Sequence, residues 1–250
     1  MIRLFLRRVF QNKIYWLAVF SALLLLLCSV VYTDPATGER FTFLSLFYDV
    51  EMQNYLQYDI LSLKNILMGY QIHNYLGMFA PIIVDIPCIL NQRIERFVLF
   101  RGSKNGYFFS KYVSNLMLGG EILVLAQVLF LFTGIALVQW LALVKQLPVY
   151  VESFWDIYMA KRFWNIFCEG VCDALLGIVL AEFIRSKYLI LCVPFVCKYF
   201  IELFVIGRMP FEMQQLVLPQ KNGIVLAGAV LAGGGLVKVV AERRCDCGQK

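Results

Sequence analysis

Apolar positions along this chain come in long runs, and the polar positions gather between them. Runs at residues 14–32, 72–90, 112–138, 163–184, 188–207 and 223–241 each approach or exceed the roughly 20 residues that a helix needs to cross a bilayer. The pattern predicts an all-α polytopic membrane protein, with six transmembrane helices in a single domain over residues 1–250. Residues 2–13 have a helical period instead. Ile2, Phe5, Leu6, Val9 and Phe10 share one face, and Arg3, Arg7, Arg8, Gln11 and Lys13 take much of the rest. Such a segment predicts an elbow helix in the interface, its bases among the headgroups. The run at 14–32 reads as a span rather than a cleaved signal. It is long for a signal's apolar core, and no small-x-small site precedes Thr33-Asp-Pro35.

The connections carry their own pattern. Residues 33–70 are expected outside, where Phe41, Phe43, Phe47, Tyr48, Tyr55 and Tyr58 predict short helices lying on the membrane. Pro81 and Pro87 predict kinks in the second span, which a bundle tolerates when neighbours satisfy the freed carbonyls. Residues 139–162 form a second external segment, and Trp140, Trp155 and Trp164 are placed like an aromatic belt. The stretch at 208–221, bounded by Pro210 and Pro219, is expected to dip into the outer leaflet.

Composition agrees with the pattern. With 60% apolar and only 16% charged residues, and a mean hydropathy of +0.71, the chain is not an ordinary soluble domain. The net charge of +6 resides at span ends rather than on one face, which argues for topology and against nucleic acid. Segments assigned inside hold fourteen Lys and Arg residues against seven outside. The positive-inside rule therefore predicts a multi-pass protein of the plasma (inner cell) membrane with both termini cytoplasmic. Cys28, Cys88, Cys168, Cys172, Cys192 and Cys197 fall inside apolar runs, where a thiol acts as a small hydrophobe. Cys245 and Cys247 read as part of a solvated, charged tail, and Gly248-Gln249 is not the aliphatic pair of a prenylation signal.

Motifs that would carry chemistry are missing. The chain has no G-x-x-x-x-G-K-[ST], no H-E-x-x-H and no G-x-S-x-G, and its one histidine, His73, reads as an interfacial polar residue. No enzymatic activity, no metal site and no cofactor are expected in this chain.

Charge inside the spans is the stronger signal. Asp85, Glu121, Glu169, Asp173, Glu182 and Glu202 fall within predicted spans, with Lys198 and Lys238. Ionised groups in hydrocarbon are costly, so they pair, face a cavity or mark a path. Glu182 is a turn from Arg185 and reads as a rim pair, and Lys238 is near enough to a span end to snorkel. Glu169 and Asp173 are four residues apart on one helix face, as are Lys198 and Glu202. At about 1.5 Å per residue, Asp173 and Lys198 each lie about 15 Å from a span end, so both sit near the midplane of a core about 30 Å thick. The residues leave two readings open: a structural ion-pair cluster, or an acidic lining of a translocation path suited to cationic or amphipathic cargo. Gly119-Gly120 and the small residues from Gly228 to Gly235 are helix-packing signals.

The most basic connection is residues 92–111. It carries Arg93, Arg96, Arg101, Lys104 and Lys111 against Glu95, with Ile94, Phe97, Val98 and Phe100 interleaved. That mixture of apolar knobs and charge predicts a cytoplasmic docking element.

Several segments together resemble the permease subunits of type-2 ABC exporters, particularly the compact six-span forms of Gram-positive bacteria. They are the Arg-rich start running into the first span, the proline-interrupted Ala80-Pro-Ile-Ile-Val-Asp-Ile-Pro87, and the basic loop from Arg96 to Tyr112. Glu169-Gly170 and Phe183-Ile-Arg-Ser-Lys-Tyr-Leu-Ile-Leu-Cys-Val-Pro194 complete the likeness. The resemblance implies the elbow helix at 2–13 and a coupling helix within 92–103, through which Arg93, Ile94, Glu95, Arg96, Phe97, Phe100 and Arg101 meet an ATPase. It implies two ABC ATP-binding subunits holding ATP and Mg, and a second permease copy or paralogue as partners in the lipid bilayer. It also implies that the stretch at 210–219 corresponds to a re-entrant segment. Asp85, Glu121, Glu169, Asp173, Lys198 and Glu202 depart from a typical apolar bundle. The expected function is outward movement of a peptide, lipid or hydrophobic compound by alternating access. Two rival readings are an ion- or proton-coupled carrier using Asp85, Glu121 and Asp173, and a non-transporting immunity or scaffold protein. Many carrier folds have inverted repeats, and none is visible here.

Overall fold

The computed structural model describes residues 13–28, 30–33, 37–42, 44–45, 104–145, 157–184, 186–201, 204, 206–217 and 222–247. The elbow at residues 2–12, the second span with Asp85, the coupling segment at 92–103, Glu202 and the Glu182–Arg185 pair of side chains lie outside this set. The elements are α1 (Lys13–Leu27), β1 (Val30–Thr33), β2 (Arg40–Thr42), α2 (Lys104–Lys145), α3 (Ile157–Phe183), α4 (Lys187–Phe200), a 3₁₀ turn (Ile206–Arg208), α5 (Phe211–Val217) and α6 (Gly223–Cys247).

Three helices are long and apolar enough to cross a membrane, through Tyr112–Leu137 of α2, Ala160–Ala181 of α3 and Gly223–Val240 of α6. The runs expected at 112–138, 163–184 and 223–241 correspond to these to within about three residues. Helix boundaries commonly scatter by one or two residues at each end.

The first expected span comes out shorter. α1 ends at Leu27, and Val30–Thr33 pairs antiparallel with Arg40–Thr42, with a register irregularity between Val30 and Tyr32. Val30, Val31, Tyr32 and Thr33 are β-branched or aromatic and favour a strand. Gly38 supplies the left-handed backbone of the connection, at φ 75°. The first span therefore does not extend to residue 32, and residues 40–42 are a strand rather than a surface helix. α4 is α-helical to Phe200, and the described residues beyond it remain helical, Ile201 and Phe204 in π-helical geometry and Ile206–Arg208 in the 3₁₀ turn. The segments at 139–145 and 157–162 are helical extensions of α2 and α3, and the outer stretch contains the seven-residue α5. α6 continues past the expected span end at residue 241 to Cys247, because Ala241-Glu-Arg-Arg244 are strong helix formers.

The core forms where α2, α3 and α6 meet. Leu116, Val171, Ala174, Ile178 and Val237 are buried together, with Tyr112, Phe167, Leu175 and Val230 packed against them. α1 adds to α2, burying Tyr15, Ala18, Val19, Ala22, Leu23 and Leu26 along one stripe and leaving Trp16, Leu17, Phe20 and Leu24 outward. With lipid tails on the outside, close shape matching rather than hydrophobic burial drives such helix pairs together. Gly119 and Gly170 provide it where α2 meets α3, since a Cβ on Gly119 would stand 2.5 Å from the Gly170 carbonyl oxygen.

Candidate functional site

α3 places two carboxylates on one face, and α4 brings one ammonium to them. Glu169 and Asp173 are one helical turn apart near the middle of the Ala160–Ala181 stretch. Lys198 Nζ lies 2.7 Å from Asp173 Oδ1 and 3.5 Å from Glu169 Oε1. The shorter distance is that of a charge-assisted hydrogen bond, and the longer one is at the limit of a hydrogen bond. The three side chains are only 11%, 4% and 9% exposed for Lys198, Asp173 and Glu169. An ion pair this dry is held by Coulomb attraction that water would largely screen.

The surroundings of the cluster are made by the same two helices. Cys168 and Cys172 alternate with the acids along α3, and Cys172 lies within electrostatic reach of Asp173, Lys198 and Glu169. Pro194 lies one turn before Lys198 on α4 and is itself buried. It has no N–H to give the carbonyl four residues back, so the helix has a weak point beside its cation. Beyond the cluster, the Ile201 N–H is shared between the Cys197 and Lys198 carbonyls at the end of α4.

The other candidate residues lie elsewhere. Glu121, half-buried on α2, is within electrostatic reach of Tyr15 on α1. Lys238 is exposed on α6. Asp85, Glu202 and the proposed ATPase-contacting residues from Arg93 to Arg101 fall outside the described residues. Among the described residues, no group of three or more His, Cys, Asp or Glu side chains is arranged to hold a metal ion.

Two polar features were not anticipated from the sequence. The Tyr112 hydroxyl donates to the Val230 carbonyl at 2.5 Å, tying α2 to α6. Gln127 is 1% exposed on α2, and its Nε2 has no hydrogen-bond partner among the described residues. A Tyr at the head of an apolar run and a Gln in its middle were the available signals.

No protein-family model, curated protein or solved structure matches the chain.

Proposed function

We propose that this chain is the transmembrane permease subunit of an ATP-driven ABC exporter, with the α3–α4 ion cluster beside its transport path. The observation that carries a transport role is Lys198 held on Asp173 and Glu169 between two helices, at the depth where α3 crosses the membrane. Ionised residues at that depth are costly, and in membrane proteins they mark substrate or ion pathways by default. Support for an external energy source is of a different kind. The sequence lacks a P-loop, while residues 92–103 join apolar side chains to Arg93, Arg96 and Arg101 in a cytoplasmic connection. In this reading ATP and Mg are held by two partner ATPases, a second permease completes the complex, and both termini face the cytoplasm.

The test is purification of the full-length chain from its native host, with mass spectrometry of what accompanies it. The expected result is an ABC ATPase that co-purifies and is lost when Arg93, Arg96 and Arg101 are changed together to Glu. Transport activity that persists without any ATPase would overturn the proposal in favour of an ion-coupled carrier. A chain that purifies alone and transports nothing would leave the immunity or scaffold reading.

A further inference from the structure

We infer that α4 is a hinged arm, pivoting at Pro194 and latched to α3 by Lys198 on Asp173 and Glu169. This goes beyond the exporter reading and does not rest on it, since an ion-coupled carrier or an immunity protein could contain the same device.

The two parts of the device are one helical turn apart. Pro194 and Lys198 are four residues apart in α4, so they share the face that meets α3. At Pro194 the helix lacks the hydrogen bond to the Ile190 carbonyl, and proline positions are where helices kink. Beyond it the α-helical hydrogen bonding runs to Phe200, the Ile201 N–H is shared between two carbonyls, Ile201 and Phe204 take π-helical geometry, and a 3₁₀ turn follows at Ile206–Arg208. The segment carrying Lys198 thus has a weakened joint before it at Pro194, and after it the hydrogen bonding changes from α to π and then 3₁₀.

Its packing is one-sided. Leu189, Val196, Tyr199 and Phe200 are exposed, whereas Pro194 is buried and Lys198 reaches the acids of α3. α3 is the principal neighbour of α4 among the described elements. An apolar arm in lipid gains little from hydrophobic burial, so the ion pairs contribute a large share of what sets its position.

An ion pair in this position behaves as a switch rather than a spring. In a dry crevice the attraction between Lys198 and Asp173 is strong, and admitting water lowers it several-fold through the dielectric constant. Parting of the helices admits water, and water weakens the latch further. The arrangement therefore favours either a closed, dry crevice or an open, wet one over intermediate positions.

Cys172 is a natural reporter, because it is half-buried beside Asp173 and within electrostatic reach of Lys198. The experiment uses the full-length chain in membrane vesicles with Cys172 as its sole thiol, and measures its labelling rate with a water-soluble maleimide. Lys198→Gln is expected to raise the rate at least about tenfold, since the Coulomb restraint that keeps water out is lost. Exchanging the charges, with Asp173→Lys and Lys198→Asp together, is expected to return the rate toward that of the parent. Adding Pro194→Ala to Lys198→Gln is expected to slow labelling several-fold, because the restored helix hydrogen bond stiffens the joint. If Lys198→Gln is not recovered as a folded protein, Glu169→Gln retains the 2.7 Å pair and should still raise the rate a few-fold. Parent-like labelling in Lys198→Gln, or in Glu169→Gln where only that variant folds, overturns the latch. A charge-exchanged variant that labels as fast as Lys198→Gln overturns the latch, and Pro194→Ala with Lys198→Gln labelling as fast as Lys198→Gln alone overturns the hinge.

Discussion

Gly119 of α2 and Gly170 of α3 approach with backbone against backbone, so that a Cβ on Gly119 would also stand 2.6 Å from Ala174 Cβ. Side chains cannot occupy that space without moving one helix. Gly119→Val is expected to destabilise the protein by about 1–3 kcal/mol or more, the usual cost of overpacking a close contact. Gly235, with open space around its Cβ position, is the control. Gly235→Ala should be neutral or stabilise by up to about 1 kcal/mol through helix propensity. Thermal unfolding in detergent, followed by circular dichroism and size-exclusion chromatography, distinguishes the two.

The ion cluster makes an asymmetric prediction about stability. Asp173→Asn alone should cost up to about 3–5 kcal/mol, because it removes the carboxylate charge 2.7 Å from the Lys198 ammonium in a dry site and leaves Glu169 at 3.5 Å to balance it. Converting Lys198 to Met together with Asp173 and Glu169 to Leu should be far milder, near neutral or stabilising by about 1–4 kcal/mol. Equilibrium unfolding of the three forms in mixed micelles would reveal it. If the triple variant loses as much as Asp173→Asn, the cluster makes a larger net contribution to folding than a buried ion pair usually does.

Tyr112 ties α2 to α6 in two ways, through its hydroxyl on the Val230 carbonyl and its ring against Gly234. Tyr112→Phe removes only the first and should cost about 0.5–1.5 kcal/mol. Tyr112→Ala removes both and should cost about 3–5 kcal/mol, as for other aromatic truncations in a core. The ratio of the two unfolding shifts separates hydrogen bonding from packing.

Orientation can be read from the hairpin. Thr37 is exposed between β1 and β2, on the side that the charge balance assigns to the exterior. A cysteine introduced by Thr37→Cys in a background without other thiols should react with a membrane-impermeant maleimide in intact cells. One introduced by Arg244→Cys should react only after permeabilisation. The opposite pattern would invert the topology and place residues 92–111 outside, where no cytoplasmic ATPase reaches them.

Much of this protein was legible in its sequence because hydrocarbon imposes a simple condition. Every backbone polar group in the bilayer must be satisfied internally, so long apolar runs become helices. Tyr112–Leu137, Ala160–Ala181 and Gly223–Val240 follow from that condition alone. The pairing of Lys198 with α3 was open to the same reasoning, since charges at one depth have few alternatives to one another. Depth along a helix is set by counting residues, and counting needs no tertiary structure.

What the chain's own order does not determine is where a run stops being one helix and which face meets which neighbour. Val30–Thr33 belongs to the same apolar run as the helix before it, and its β-branched and aromatic residues take up a strand in pairing with Arg40–Thr42. α4 lies in one apolar run, yet its α-helical hydrogen bonding gives way after Phe200 to π-helical and then 3₁₀ geometry. The meeting of Gly119 with Gly170 depends on the rotation of both helices, which packing selects from several alternatives of similar apolarity. Likewise, the choice of Asp173 over Glu169 as the closer partner of Lys198 is a matter of distances between helices. Sequence determined which segments are apolar enough to cross a membrane and which charges would have to be answered there. Tertiary structure decided the partners, because lipid is indifferent to which apolar face it touches and only close contact between helices is not.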